Sequence, residues 1–276
     1  MVSTNYTAIT VEVRGKIGII TLNRPAALNS FNHAMSIEVI RAFRELNEHP
    51  DTVFTVLTGN GRFFSSGVDV KGSSPPPPPE YSPAELKVHY MAQFSRALEL
   101  MRSQIDHSKI LILALNGPAV GGGAAWFTGV ADIILATPST WLQIPFNALG
   151  LVPENGSAQS FAQSVGVRRA NDILMFGRKC SAEELERWGL VNRILPQEGF
   201  REHIVGFCEG QLEVNDGGSM IETKRLQNAP LRMGRLFAVY DSVDALAERF
   251  VVGAPVERFR LKREMLMKGK KAKASL

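Results

Sequence analysis

Cysteine is scarce in this 276-residue chain. Cys180 and Cys208 are the only two, with neither CxxC spacing nor a neighbouring His cluster, so a disulfide framework or a zinc site is not expected, and no metal ligands are assigned. Long apolar runs are missing too. No window approaches the roughly 18 to 20 apolar residues of a spanning helix, which predicts no membrane span. Residues Met1 to Gly15 lack a signal-peptide apolar core and an Arg-rich transit pattern, and a reduced, intracellular chain is the expectation. Charge of one sign is not in excess either. A net charge of +4 suits an anionic small ligand and falls far short of a nucleic-acid-binding composition. Several familiar signatures are absent: GxSxG, HExxH, GxxxxGK[ST] and a completed GxGxxG. The histidines at 33, 49, 89, 107 and 203 are scattered and suit surface or capping roles.

The chain is long enough for one sizeable core, read as residues 1–200, followed by a helical region and basic tail over 201–276. Ala8 to Val13 and Ile17 to Leu22 read as a hairpin of two strands around Arg14-Gly15-Lys16. Asn29-Ser30-Phe31-Asn32 offers caps before an amphipathic helix carrying Ile37, Ile40, Phe43 and Leu46. Val53 to Leu57 is a third strand, opening into the loop Thr58 to Val70. Prolines 75 to 79 mark a low-complexity surface insertion over about 73–83, read as a mobile loop or as a proline-recognition segment. Ala84 to Ile105 is a long helical pattern. Strands are expected at Ile110 to Leu115, Ile133 to Ala136, Thr140 to Ile144 and Val191 to Leu195, with helices dominating after Val167 and a loop at Asn215 to Gly218. Strands alternating with helices before Gly166 argue an α/β core.

The stretch around which the rest is arranged is Asn116-Gly-Pro-Ala-Val-Gly-Gly-Gly-Ala-Ala-Trp-Phe-Thr-Gly-Val-Ala-Asp132. A buried strand runs into Gly121-Gly122-Gly123, and a helix follows. Such a junction lets a ligand approach the main chain and leaves the first helical N–H groups free for an anion or oxyanion. Alternatively, it is a tight turn that only packs a helix on a sheet. A second glycine loop, Ser65-Ser66-Gly67-Val68-Asp69, also follows a strand. Two main-chain donors from separate loops are what one carbonyl oxyanion requires, and a nearby carboxylate would complete the equipment for removing a proton beside a carbonyl. Glu154 sits in the turn Gly150 to Gly156. It reads either as that base or as a cap for the following helix.

Together these stretches resemble the crotonase family, the enoyl-CoA hydratase/isomerase superfamily. The residues that carry the likeness are Leu22-Asn-Arg-Pro25 with Ala27-Leu-Asn29, Gly61 to Gly72, Asn116 to Gly123 with Asp132, Pro145 to Leu151, and Gly253-Ala-Pro255 with Arg258-Phe259. The resemblance implies an α/β spiral of ββα units with C-terminal helices that mediate trimer assembly. It implies an acyl-CoA thioester as substrate, with no separate cofactor, and a homo-oligomer, trimer or hexamer. It places the oxyanion hole at the N–H groups of Val68 and Gly122, and the CoA adenine at Ser66, Asp69 and Val70. CoA phosphates would fall to Arg24, Lys71 or a C-terminal lysine.

The departures narrow the reading. Hydratases of the family use two glutamates, and the matching places here hold Ala125 and Phe146. The family's dienoyl-CoA isomerases use two or more acids, and only the Glu154 place is filled. A lone carboxylate in Leu151-Val-Pro-Glu-Asn-Gly156 is similar to fungal peroxisomal Δ3,Δ2-enoyl-CoA isomerases. In that reading Glu154 moves a proton from C2 to C4 of a 3-enoyl thioester, within a wall of Trp126, Phe146 and Leu149. Burial would raise its pKa and a helix start would lower it, so the direction is open at this point. Ala274-Ser-Leu276 is weakly similar to a peroxisomal address, with the cytoplasm as the alternative. Two further readings stand beside the isomerase of β-oxidation. One is a crotonase of fungal secondary-metabolite or toxin acyl-chain biosynthesis, and the other is a non-catalytic acyl-CoA-binding subunit.

Overall fold

The computed structural model describes residues 5–69, 76–261 and 264–265. Expectations placed on Val70, on 71–75 and on the tail 269–276 lie outside them. In chain order the elements begin β1 (Ile9–Arg14), β2 (Ile17–Leu22), α1 (His33–Glu48), β3 (Phe54–Gly59), α2 (Pro83–Ile105) and β4 (Ile110–Leu115). They continue β5 (Ala119–Val120), α3 (Gly122–Thr128), β6 (Ile133–Ala136), β7 (Trp141–Gln143), α4 (Ser157–Val165), α5 (Val167–Leu174) and β8 (Cys180–Ser181). Last come α6 (Ala182–Arg187), β9 (Arg193–Ile194), α7 (Phe200–Val214), α8 (Gly217–Asn228) and α9 (Arg232–Val251).

The main sheet has the order β1-β2-β3-β4-β6-β9, with the β1–β2 pair antiparallel and the others parallel. Every residue of β2 and β4 is buried, as uninterrupted aliphatic sequences allow and a sheet covered on both faces requires. Alternate residues feed two cores. Ile20, Leu22, Leu57, Leu113 and Leu115 join Met35, Val39 and Phe43 of α1 on one face. Ile17, Ile19, Val56, Ile112 and Ala114 join Phe200, Ile204 and Cys208 of α7 on the other. Successive turns of the spiral, β3-α2, β4-β5-α3 and β6-β7-α4, put one strand in the main sheet and a shorter extended segment in a second layer. That layer is the small sheet β5-β7-β8, extended by single bridges from Phe31 to Val68 and from Ser65 to Ala119. The two glycine loops are therefore second-layer segments, lying just past the ends of buried parallel strands.

Of the boundaries that differ from expectation, three do so for identifiable reasons. Ser82 and Pro83 belong to α2 rather than to the proline insertion. The Ser82 side chain accepts from the Glu85 N–H, the Glu85 carboxylate accepts from the Ser82 N–H, and Pro83 takes the first turn where its missing donor is harmless. Asp216, read as loop, caps α8 by accepting from the Ser219 N–H at 2.7 Å, so the loop shrinks and Gly217 and Gly218 are helical. The last strand narrows to Arg193–Ile194 because only Leu135 and Ala136 of the short β6 remain to pair with it.

α9 returns across the molecule and packs on α2 and α4. Lys87 of α2 bridges Asp244 at 2.9 Å and Glu248 at 2.6 Å of α9, while Tyr90 and Phe94 meet the Phe250 ring at 4.9 and 5.6 Å. The Ser242 hydroxyl accepts from the Gly156 N–H at 3.1 Å, and Arg249 Nε donates to the Gly150 carbonyl at 3.4 Å. α9 thus fastens the turn that carries Glu154.

Candidate active site

Two asparagines hold the loops that leave β2, β3 and β4. Asn29, at φ 52°, accepts from the Arg24 N–H and donates to the carbonyls of Asn60 and Phe63 at 2.9 and 2.8 Å. Asn116 accepts from the Gly59 N–H at 3.0 Å and donates to the Gly61 carbonyl at 2.8 Å. These bonds satisfy backbone groups that irregular chain would otherwise leave unpaired. They bring the Ser65–Asp69 loop against the glycine junction.

At that meeting, the Phe31 N–H donates to the Gly67 carbonyl and the Asp69 N–H donates to the Phe31 carbonyl, at 2.8 and 3.0 Å. Alternation along an extended segment then turns the Val68 N–H to the opposite side. On the other loop, the N–H groups of Val120 and Gly121 donate to Ser65 and Gln143, at 2.9 and 2.8 Å. Gly122 opens α3, so its N–H has no helical acceptor. Among the described residues, neither Val68 N–H nor Gly122 N–H has a hydrogen-bond partner. They are close neighbours. A Cβ on Gly67 would stand 3.5 Å from the Gly122 nitrogen and 2.9 Å from the Val120 carbonyl oxygen, and Gly67 has φ +92°. Only glycine tolerates both conditions.

Glu154 faces the same place through Trp126. Its Oε2 accepts from the Trp126 indole N–H at 3.1 Å. The indole lies flat enough on Gly122 that a Cβ there would be 2.5 Å from Cε2 and Cζ2. Trp126 also meets the Phe31 ring edge-on at 5.4 Å and 73°. Burial pushes the Glu154 carboxyl up from 4.5 to about 7, and the indole hydrogen bond pulls back against it. The direction left open by the sequence is thus decided by desolvation. The carboxylate is not a helix cap: Gly156 is the N-cap of α4, and no side chain caps it.

The remaining expected residues fall into three groups. Trp126 and Phe146 are buried beside the junction, Phe146 Cε1 lying 4.0 Å from where a Gly121 Cβ would be. Ala125 is buried as well. Leu149 ends the short turn Asn147–Leu149 and is half-buried, its N–H bonded to the Phe146 carbonyl at 2.9 Å. Ser66 donates its N–H to Leu28 at 2.9 Å, and Asp69 is half-buried in an ion pair with Arg24 Nη2 at 3.0 Å. Arg24 is thus committed to Asp69 and to the Ser30 carbonyl. Val70 lies outside the described residues. Sequence reasoning placed Trp126 in an apolar wall and missed its polar end; the available signal was that a buried indole N–H needs an acceptor. It also missed Phe31, Asn29 and Asn116 as the scaffold of the site, and Ser242 as the clamp on the Glu154 turn.

The arrangement is two free main-chain donors beside one half-buried carboxyl in an otherwise apolar setting. Among the described residues no group of His, Cys, Asp and Glu is placed to hold a metal ion, and no helix is long and apolar enough to cross a membrane.

The profile of a protein family described as enoyl-CoA hydratase/isomerase matches residues 12–226. Among individual relatives, the chain is 35% identical over 235 residues to the Delta(3,5)-Delta(2,4)-dienoyl-CoA isomerase of Pyricularia oryzae, covering 80% of this chain and 84% of the relative. It is 33% identical to Enoyl-CoA delta isomerase 2 of Homo sapiens over 73% of this chain and half of that protein. Among solved structures, an enoyl-CoA hydratase/isomerase from Pseudoalteromonas atlantica superposes with a TM-score of 0.81 at 22% identity, covering 94% of this chain and 98% of that one.

Proposed function

The chain belongs to the enoyl-CoA hydratase/isomerase family, and within it we propose that this enzyme shifts the double bond of a 3-enoyl-CoA to give the 2-trans isomer. The observation that carries the reading is the single carboxyl, Glu154, held beside Gly122 by the Trp126 indole, with Ala125 and Phe146 where a second acid would be. In a 3-enoyl thioester the C2 proton is acidified by both the carbonyl and the double bond. The Glu154 carboxylate takes that proton, and the electron pair moves into a dienolate whose oxygen rests on the N–H groups of Val68 and Gly122. The protonated Glu154 then returns the proton to C4, and the double bond settles between C2 and C3. Nothing else is consumed. A carboxyl near pH 7 suits both halves, since it must be a competent base and then a competent acid. Water addition needs a second group to activate or hold water, and buried Ala125 and Phe146 supply none.

A second reading has its own support. The fungal relative at 35% identity is named for the Delta(3,5)-Delta(2,4) shift, which carries a proton over a longer span of the same kind of chain. A panel of 3-enoyl-, 3,5-dienoyl- and 2-enoyl-CoA, with products separated by mass spectrometry and ultraviolet spectra, decides between them. The proposal expects turnover of the 3-enoyl thioester with no hydrated product, and near-complete loss in Glu154→Gln with acyl-CoA binding retained. Preferred conversion of the dienoyl thioester would replace it, as would near-full activity in Glu154→Gln.

A further inference from the structure

We infer that Trp126 is the positioning residue of the base: its indole N–H holds one carboxylate oxygen of Glu154 and leaves the other to carry the transferred proton. The inference rests on Glu154 being the base, and it concerns how one oxygen comes to serve both ends of the shift.

The contact joins residues 28 positions apart, Nε1 donating to Oε2 at 3.1 Å. Oε1 has no partner among the described residues. The indole is itself immobilised. Phe31 stands against it edge-on, and the missing Cβ of Gly122 leaves the space that its six-membered ring fills. An indole N–H is a donor only, so in this buried place it either meets an acceptor or is left unpaired. The Glu154 turn is fixed from the far side by Ser242. Both ends of the hydrogen bond therefore sit on rigid supports, which is what precise placement of a reacting group requires. With Oε2 held, the carboxylate cannot exchange its oxygens, and the same Oε1 that receives the proton from C2 must deliver it to C4. The contact also favours the ionised carboxylate against the burial that opposes it.

The groups facing Glu154 leave few competitors for that effect. α3 contributes Trp126 and no charged side chain. On α9, Ser242 binds the Gly156 N–H, Arg249 is bonded to the Gly150 carbonyl, and Asp244 and Glu248 are paired with Lys87 of α2. No charged side chain among the described residues acts on the Glu154 carboxyl.

The test replaces Trp126 with 3-benzothienylalanine, which keeps the shape and puts sulfur where the N–H was, alongside Trp126→Phe. Hydrogen bonds to ionised groups are worth enough that losing this one should raise the acid limb of kcat/KM by about one pH unit. KM should change by less than about two-fold, while kcat on the alkaline plateau should itself fall, because the carboxylate is no longer held in one orientation. Independently of turnover, wild-type tryptophan fluorescence should titrate with a midpoint near pH 7, and the transition should vanish in Glu154→Gln. An unmoved acid limb in the benzothienyl variant, or a loss of rate equal at every pH, would reduce Trp126 to packing and overturn the inference. So would fluorescence indifferent to Glu154. If instead Glu154→Gln keeps its rate while the fluorescence transition is present, the contact stands, the base assignment fails, and the positioning role falls with it.

Discussion

Glu154→Gln should make the protein inactive and, above neutral pH, more stable. The carboxyl titrates at about 7 in the folded chain against 4.5 for the free side chain, because burial opposes its charge. Between those two values the folded state holds more protons than the unfolded state, so stability declines as pH rises through this window and is level above it. Each unit of pKa difference corresponds to about 1.4 kcal/mol, which makes the full cost of ionising Glu154 roughly 3 kcal/mol. About 2–3 kcal/mol of that develops between pH 5 and pH 8. Glutamine has no charge to desolvate and retains an oxygen that accepts from the Trp126 N–H. Thermal melting of wild type and variant, compared at each pH from 5 to 8.5, isolates this one group because all other titrations cancel. The variant should match the wild type near pH 5 and melt roughly 5–10 °C higher at pH 8. A melting difference that is the same at every pH, or a less stable variant at pH 8, would mean that the carboxyl is not desolvated.

Two other perturbations probe the surroundings. Gly122→Ala puts a methyl group 2.5 Å from the indole, forcing the ring off the junction while keeping the main-chain N–H; kcat should fall by about 10²-fold through misplacement of the reacting groups, with KM little changed in steady-state assays. Lys224, nearly buried on α8, pairs with Asp132 at 2.6 Å and donates to the Lys109 carbonyl; Lys224→Met leaves Asp132 without its cation and should cost about 3–5 kcal/mol in urea denaturation, with activity per folded molecule retained.

How far the fold was legible follows from what each signal measures. The run Ile110–Leu115 is a strand over the range read from its letters because six aliphatic residues between breakers leave no competing period. Capping was harder. Ser82 and Asp216 are loop-forming residues by composition, and their assignment to helices depends on hydrogen bonds to the third residue along. The donor loops were legible in part, as glycines after strands. Their mutual approach was not, since it is made by Asn29 and Asn116 reaching 31 to 57 residues away. Glu154 was visible as a carboxylate in a turn, but position alone could not separate a cap from a base. The side chain points toward Trp126 rather than the start of α4, which sets the cap aside.

That orientation bears on why one acid would suffice for the proposed shift. An enzyme that adds water divides labour between a group that activates the water and a group that delivers the proton, and environments must push the two pKa values apart. Moving a proton between two carbons of one chain needs the opposite: a single group that gives up the proton as readily as it takes it. Its best pKa therefore lies near the working pH, without a partner to shift it. Among the described residues Glu154 has that character. Its carboxyl feels burial and one indole N–H, and no charged neighbour sets it apart as a permanent acid or a permanent base. A second carboxylate at position 125 or 146 would couple to it electrostatically and drive the two titrations apart. The alanine and phenylalanine found there preserve the balance while keeping the cavity apolar.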